Sequence, residues 1–386
     1  MITRGQWVQL IEAAWRERPV VWLSGVRRVG KTCLGQSLPN VTYFDCELPR
    51  VRQTMTDPQG FWESLPDGRV VLDEVHRLPN PSELLKIAAD HFPRLRVLAT
   101  GSSTLGASAR FRDTLTGRKR DIRLTPMTLA DLADFGSRDL RHRLLRGGLP
   151  PFFLAPSLPE QDFQEWMDAY WAKDIQELFR LERRGAFQRL VELLLAHSGG
   201  IFEATQFARL CEISRPTVTS YLGVLEATAV AHVIRPFSTR RATEIVAAPK
   251  VYGFDTGFVC YHRGWSSLRA DDLGLLWEHF VLNELIAALQ GEPIHYWRDK
   301  AQHEVDFVLK RRGRPPLAIE CKWSAAEFSI ENLRAFRNRY PEGENILVAQ
   351  DADRPVTRTL GGIRVTVEPL AQLIQRLRGK RGRPAH

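Results

Sequence analysis

Eight residues near the start of the chain, Gly25-Val-Arg-Arg-Val-Gly30-Lys31-Thr32, have the spacing G-x-x-x-x-G-K-[ST]. Each part of that spacing has a chemical use. Gly25 and Gly30 let the backbone curl so that successive N–H groups point at phosphate oxygens, and the helix that follows adds a positive N-terminus. Lys31 reaches the β- and γ-phosphates, and the Thr32 hydroxyl is a ligand for Mg²⁺. Arg27 and Arg28 lie inside the loop and either touch phosphate or face solvent; Arg28 is counted with the phosphate contacts. Further on, the apolar run Val70-Val-Leu ends in two acids, Asp73 and Glu74. Asp73 is placed beside the metal, usually through water, and Glu74 is the candidate to polarise an attacking water. Thr100-Gly-Ser102-Ser103 follows another apolar run, with Ser102 the candidate to sense a γ-phosphate or position water. Arg118, in Leu115-Thr-Gly-Arg118, is a candidate arginine finger for a neighbouring subunit's nucleotide; an ordinary basic turn is the competing explanation. Together these residues describe a site for ATP and Mg²⁺.

A second constellation lies toward the C-terminus. Glu304-Val-Asp306-Phe-Val-Leu309 is strand-like, and after a basic turn comes Leu317-Ala-Ile-Glu320-Cys-Lys322. Side chains alternate along a strand, so Glu304 and Asp306 share one face, as do Glu320 and Lys322. A hairpin would bring both faces to one spot, and a helical stretch upstream could aim Glu278 there. This order of an Asp, then Glu-x-Lys, with a helical Glu before both resembles the PD-(D/E)xK nuclease fold of restriction endonucleases. The resemblance implies Asp306 and Glu320 as ligands for a second Mg²⁺ or Mn²⁺, with Glu278 in support. Hard carboxylates gather such an ion, which stabilises charge on a phosphodiester and lowers the pKa of a bound water. Lys322 would orient the nucleophile or stabilise the developing anion. Val305 departs from the Pro of that motif. The rival reading is a structural charge network on a scaffold that binds DNA without cutting it.

These residues need elements to hold them. Apolar runs at 20–23, 41–44, 69–72, 95–99 and 121–124 alternate with helical stretches, the first at 6–18. Continuous rather than alternating runs suit strands covered on both faces, hence a mostly parallel sheet. Residues 150–159 are Pro-rich and read as a linker or extended packing arm. From 162 to 226 the chain is helical. Helices at 204–210 and 216–226 flank a turn, like a helix-turn-helix, with Ser214 a plausible cap and Pro216 in the first turn. Stretches 230–236 and 244–254 suit a β-wing. Residues 271–369 read as helix, strand, strand, helix, strand. The expected fold is α/β: a P-loop NTPase parallel sheet over 1–150, a helical and winged-helix region over 151–262, and a PD-(D/E)xK nuclease-like domain with a basic tail over 263–386.

The series Gly25-x-Arg-Arg-Val-Gly-Lys-Thr, Leu-Asp73-Glu74-Val-His, Thr100-Gly-Ser-Ser, Leu115-Thr-Gly-Arg, Gly147-Gly-Leu-Pro and Tyr170-Trp-Ala-Lys-Asp174 resembles a prokaryotic group of AAA-superfamily ATPases. That group carries a C-terminal domain of unknown function, and the resemblance spans nearly the whole chain. It implies an ATPase, with a homo-oligomeric form if Arg118 acts in trans.

Composition narrows the partners. Apolar residues are 44% and charged residues 26% of 386, which excludes wholesale disorder and collagen-like repeats. The net charge of +9 favours a polyanion such as nucleic acid, and DNA is the expected partner. Arg-Gly-Arg-Pro occurs at 312–315 and 381–384 and resembles the AT-hook core. A hairpin turn is the favoured reading of the first copy, and non-specific phosphate contact that of the second. The five cysteines are far apart, without a CxxC pair, so no zinc ribbon or disulfide framework is indicated. Without a membrane-spanning run or signal-peptide core, the chain reads as cytoplasmic and non-membrane. Two functions follow: an ATPase coupled to nucleic acid in repair, recombination-intermediate processing or defence, with possible metal-dependent nuclease activity; or an ATP-controlled switch whose C-terminal domain binds partners without cleaving.

Overall fold

The computed structural model describes residues 2–101, 109–157, 160–176, 179, 183–239, 248–310 and 313–379. The chain divides into two compact units. The first holds Met1–Asp139, Gly148–Glu182 and Gly223–Val230; the second holds Leu140–Gly147, Arg183–Leu222 and Ala231–His386.

The first unit is built on strands β1 (Val20–Ser24), β2 (Val41–Asp45), β3 (Arg69–Asp73), β4 (Arg96–Thr100) and β5 (Lys119–Arg123). All neighbours pair in parallel, in the order β2-β3-β4-β1-β5. The uninterrupted apolar runs have the expected cause. Val20, Trp22, Val70, Leu72, Val97 and Ala99 bury themselves in one core with Trp62, Leu85 and Phe111, while Val21, Leu23, Val71 and Leu98 are buried too. The helix Gly5–Glu17 turns Trp7, Ile11, Ala14 and Trp15 inward; the Trp15 indole donates to the Val97 carbonyl at 3.1 Å. Parallel pairing sends every strand's C-terminal end to the same edge. The loop after β1 and the acids after β3 therefore share that edge, and β4 runs between them.

The stretch expected as a linker or extended arm opens instead on a helix, and 158 and 159 lie outside the described residues. Pro150–Phe153 is a short helix with proline in its first turn, where proline's fixed φ is an advantage. It buries Phe152 against Phe163, ring centroids 4.7 Å apart, and Phe153 near Met127 and Leu132. Two adjacent phenylalanines need cover, and a helical turn gives it. The helix Glu160–Ala169 then runs into a π-helical segment, Tyr170–Gln176.

The second unit contains a mixed nine-stranded sheet in the order β13-β14-β12-β11-β10-β9-β7-β8-β6. Its strands are β6 (Gly200–Ile201), β7 (Ala231–Pro236), β8 (Lys250–Gly253), β9 (Ile294–Arg298), β10 (Glu304–Leu309), β11 (Leu317–Lys322), β12 (Asn345–Ala349), β13 (Val356–Leu360) and β14 (Ile363–Glu368). β10 and β11 form the expected antiparallel hairpin, and β12 adds in parallel to β11. The region from 271 onward holds more strands than expected: β9 precedes the hairpin, and β13 pairs back on β14 before a closing helix, Leu370–Gly379. The helix Ala270–Leu289 is buried on nearly every side.

The helices Ala204–Leu210 and Arg215–Ala227 form where expected, and the Ser214 hydroxyl accepts from the Thr217 N–H at 3.2 Å. Of the second wing strand only Lys250–Gly253 is a strand; 244–247 lie outside the described residues. Gly313, in the basic turn between β10 and β11, has φ +71°, which suits a turn. Arg312 and the 381–384 copy of the same tetrapeptide lie outside the described residues. Among the described residues, no helix is long and apolar enough to cross a membrane.

Candidate functional site

The loop 25–30 leaves β1 and enters the helix Lys31–Ser37. Gly25 is required there: a Cβ would lie 2.6 Å from the Leu124 carbonyl oxygen. Gly30 at φ +101° and Arg28 at φ +59° complete the curl, and the Arg28 side chain is exposed. The Lys31 ammonium donates to the carbonyls of Gly25 at 2.9 Å and Val26 at 3.2 Å, so it sits inside its own loop. Enclosure lowers its pKa, against the pull of Glu74, Asp174 and Asp73.

Asp73 closes the other side. One carboxylate oxygen accepts from the Thr32 hydroxyl at 2.8 Å and from the Tyr43 hydroxyl at 2.7 Å. The other accepts from the Thr100 hydroxyl. Thr100 in turn accepts from the Glu74 N–H at 3.1 Å. Glu74 sits at φ +55°, unusual for a residue with a side chain, and its carboxylate lies 3.1 Å from His76 Nδ1. Burial pushes the Glu74 carboxyl up, but the His76 hydrogen bond and the Lys31 charge outweigh it and hold it below its ordinary range. A hydroxyl beside a carboxylate is the oxygen donor set that Mg²⁺ takes, so Thr32 and Asp73 fit that ion.

Beside these groups lies a cavity of about 770 Å³, within the usual range for a small-molecule site. Gly25–Arg28, Gly30–Thr32, Glu74 and Asp174 line one side; Ile2, Phe135, Pro150, Leu154, Trp166 and Tyr170 line its apolar side. The loop's carbonyls are pinned from behind. Arg4 donates to the Val29 carbonyl at 3.0 Å and the Trp166 indole to that of Arg27 at 3.1 Å. Arg27 also faces Asp174 at 3.5 Å.

Gly25, Gly30, Lys31, Thr32, Asp73 and Glu74 thus come together. Ser102 lies outside the described residues. Arg118 is engaged by Asp90 of its own unit through two hydrogen bonds, 2.6 and 3.0 Å. Tyr43, Thr100, His76 and Arg4 were not singled out by spacing; Thr100 was within reach, as the last residue of a strand ending at the site.

In the second unit, Asp306 and Glu320 are buried on adjacent strands. Asp306 accepts from the Cys321 N–H at 2.7 Å, and it sits where the β9–β10 ladder is irregular, between Val305 and Val308. Lys322 lies 3.6 Å from Glu320. Burial, then the Glu278 charge, push the Asp306 carboxyl up to about 7; burial and Asp306 push Glu320 up as well. One Glu320 oxygen, Oε1, is buried without a hydrogen-bond partner. A hard cation would satisfy that oxygen and offset the repulsion, so the pair fits one. Among the described residues no three His, Cys, Asp or Glu side chains converge as a metal cage.

Glu278 is held differently. It accepts from Lys250 at 3.0 Å and from the Tyr252 hydroxyl, and Lys250 also donates to Glu304 at 2.7 Å. Sequence reasoning missed Lys250 and Tyr252. Their signal was a lysine two residues from a tyrosine in an otherwise apolar strand, hence on one face.

Residues 17–133 match the family model described as an AAA domain. Residues 137–269 and 273–370 match domains of unknown function, DUF8612 and DUF4143. Two mycobacterial relatives, Uncharacterized protein Rv2008c of Mycobacterium tuberculosis and Uncharacterized protein Mb2031c of Mycobacterium bovis, are each 30% identical over 333 residues, covering 82% of this chain and 73% of theirs. Among solved structures, the walker-type ATPase paby2304 of Pyrococcus abyssi aligns over 68% of this chain and 96% of its own, at 16% identity and a TM-score of 0.43. AMPPCP-bound DnaA from Aquifex aeolicus aligns over 57% and 86%, at 14% identity and a TM-score of 0.29. With an AAA domain around its phosphate loop and that identity across most of both lengths, the chain belongs to the same family as Rv2008c and Mb2031c.

Proposed function

We propose that this protein binds ATP with Mg²⁺ at residues 25–32, hydrolyses it, and couples hydrolysis to nucleic acid. One observation carries the reading: the Thr32 hydroxyl meets the Asp73 carboxylate at 2.8 Å, beside Lys31 and a nucleotide-sized cavity. In that reading Lys31 exchanges the carbonyls of Gly25 and Val26 for phosphate oxygens, and the loop N–H groups, with Arg28 at the rim, hold the rest. Thr32 and Asp73 hold the metal, which when bound neutralises charge on the phosphate oxygens. Glu74, kept deprotonated by His76 and Lys31, turns from His76 to orient water and accept its proton. Ser102 senses the γ-phosphate, and Arg118 leaves Asp90 to reach a neighbouring copy's nucleotide, which makes the working form a homo-oligomer.

The nucleic-acid part rests on charge and on the order of elements. The excess of positive charge favours a polyanion. The order helix Arg184–Ala196, β6, two helices, β7 and β8 supports a winged helix between an ATPase domain at 1–150 and a nuclease-like domain from 263. Asp306, Glu320 and Lys322 are the residues that would hold a second metal and act on a phosphodiester there, with Glu278 in support. Cytoplasmic work on DNA fits these features.

The test is the steady-state ATPase rate with single strand, duplex, fork and four-way junction, beside Lys31→Ala. Stimulation by one structure, lost in Lys31→Ala, supports the reading; a rate indifferent to every nucleic acid sinks the coupling. A second reading is an ATP-controlled switch. Lys31 and Glu74 both engage internal partners here, a resting arrangement that favours slow turnover.

A further inference from the structure

The second unit gathers more charge than a two-carboxylate site needs. Glu278, Glu304, Asp306 and Glu320 stand against Lys250 and Lys322. Lys250 is the least exposed of the lysines in this group. Its side chain is 5% accessible, and its ammonium sits between Glu278, 3.0 Å away, and Glu304, 2.7 Å away. The Tyr252 hydroxyl donates to the same Glu278 oxygen that Lys250 holds. Both donors project from one face of β8, so a single strand delivers a cation and a hydroxyl to Glu278.

We infer that Lys250 is a tethered cation occupying the place of a divalent ion between Glu278 and Glu304, so that this acidic cluster takes one divalent ion, at Asp306 and Glu320. The inference rests on reading Asp306 and Glu320 as the ligands of that ion. Charge balance supports it: once an ion holds Asp306 and Glu320 deprotonated, four acids against two lysines leave two negative charges, which that one divalent ion neutralises. Arg298 reaches Glu304 only from the rim, at 3.7 Å. Hydrogen bonding agrees. Glu278 Oε1 already accepts from two donors, whereas Glu320 Oε1 is buried with none. An ion entering this cluster therefore meets a ligand at Glu320 and an occupied oxygen at Glu278. The helical glutamate then supports the site through charge, and only the hairpin acids touch the ion.

The experiment counts Mn²⁺ by electron paramagnetic resonance on the nucleotide-free full chain, in an Asp73→Asn background that removes the phosphate-loop ion from the count. One Mn²⁺ is expected. Glu320→Gln weakens it by more than about a hundredfold, and Glu304→Gln by about tenfold, the low end of the scale of losing a group that only supports a ligand. Lys250→Met gains a second Mn²⁺, which Lys250→Met/Glu304→Gln loses again, and its thermal midpoint rises with Mn²⁺ where the parent's second-site response is absent. An unchanged count in Lys250→Met overturns the inference. So does a loss in Glu304→Gln or Glu278→Gln as large as in Glu320→Gln, a result that needs no folded Lys250 variant. If the parent shows no Glu320-dependent ion but Lys250→Met gains a Glu304-dependent one, the reading of Asp306 and Glu320 fails while the role of Lys250 stands.

Discussion

Arg4 ties the phosphate loop to the fold, and its removal gives a measurable loss. Its guanidinium meets Asp131 through two hydrogen bonds, 2.8 and 2.6 Å, and also donates to the carbonyls of Thr125 and Val29 at 3.0 Å each. Arg4 is 3% exposed and Asp131 fully buried. Arg4→Met leaves a buried carboxylate that still accepts from Thr128 and the Trp7 indole but has lost its charged partner. Breaking one side of such a pair costs about 3–5 kcal/mol. Arg4→Met/Asp131→Leu removes both charges and recovers most of that loss. It falls short by about 1 kcal/mol, because Asp131 also completes the capping box with Thr128. The pair carries a pH signature. Burial pushes the Asp131 carboxyl up, but Arg4 and Thr128 outweigh burial and hold it below its ordinary range. A depressed acid stabilises fully above the unfolded value of about 3.9 and loses that stability as pH falls through the folded value. Urea unfolding followed by tryptophan fluorescence from pH 7 to pH 3 measures both effects, and Asp131→Asn removes the acid slope that this pair supplies. A loss below about 1 kcal/mol in Arg4→Met would refute the claim that the pair is buried and strained by separation.

Three further outcomes are expected. Thr100→Val removes the hydroxyl that Asp73 and the Glu74 N–H share; supporting groups of this kind are worth about 10- to 100-fold, read as ATPase rate against Mg²⁺ concentration. His76→Ala frees Glu74 and raises basal turnover about tenfold, the equivalent of one hydrogen bond to a charged group, while Glu74→Gln abolishes it; a fall in His76→Ala would mean that His76 assists instead. His279 is buried against Ser198, and burial pushes its pKa down to about 3. Its contribution is complete above about pH 6.5 and falls by about 1.4 kcal/mol per unit below it, so His279→Asn flattens the stability curve of the second unit between pH 6 and pH 4; an unchanged slope would contradict the assignment.

How much was legible depended on how much each segment buried. β1, β3 and β4 stood out because both faces are covered, which forces continuous apolar runs. β13, Val356-Thr-Arg-Thr-Leu360, is exposed along its whole length and has no apolar face to detect. Its signal was the turn: Gly361-Gly362, both at positive φ, joins it to β14. The phosphate loop was legible because its glycines and lysine are fixed by phosphate geometry itself. Thr100 was hidden behind Ser102, since spacing identified the strand end but not which hydroxyl faces Asp73. The role of Lys250 was invisible for another reason. It depends on Glu278 and Glu304, which reach it from a helix and a different strand, and no periodicity records such a meeting.

The second unit's sheet has one thin join. β7 and β9 share the paired positions Arg235↔His295 and Pro236↔Tyr296, where proline brings no N–H to the ladder, and one further bond from the Phe237 N–H to the Tyr296 carbonyl. β11 and β12, by contrast, pair over Ala318–Lys322. The sheet is therefore two cooperative blocks, β6–β8 and β9–β14, and amide exchange would report them with different opening free energies. Lys250 belongs to the first block and Glu304 to the second, so the ion pair between them is a stitch across the seam. Opening there breaks two paired positions and the Phe237 bond, and it also separates Lys250 from Glu304.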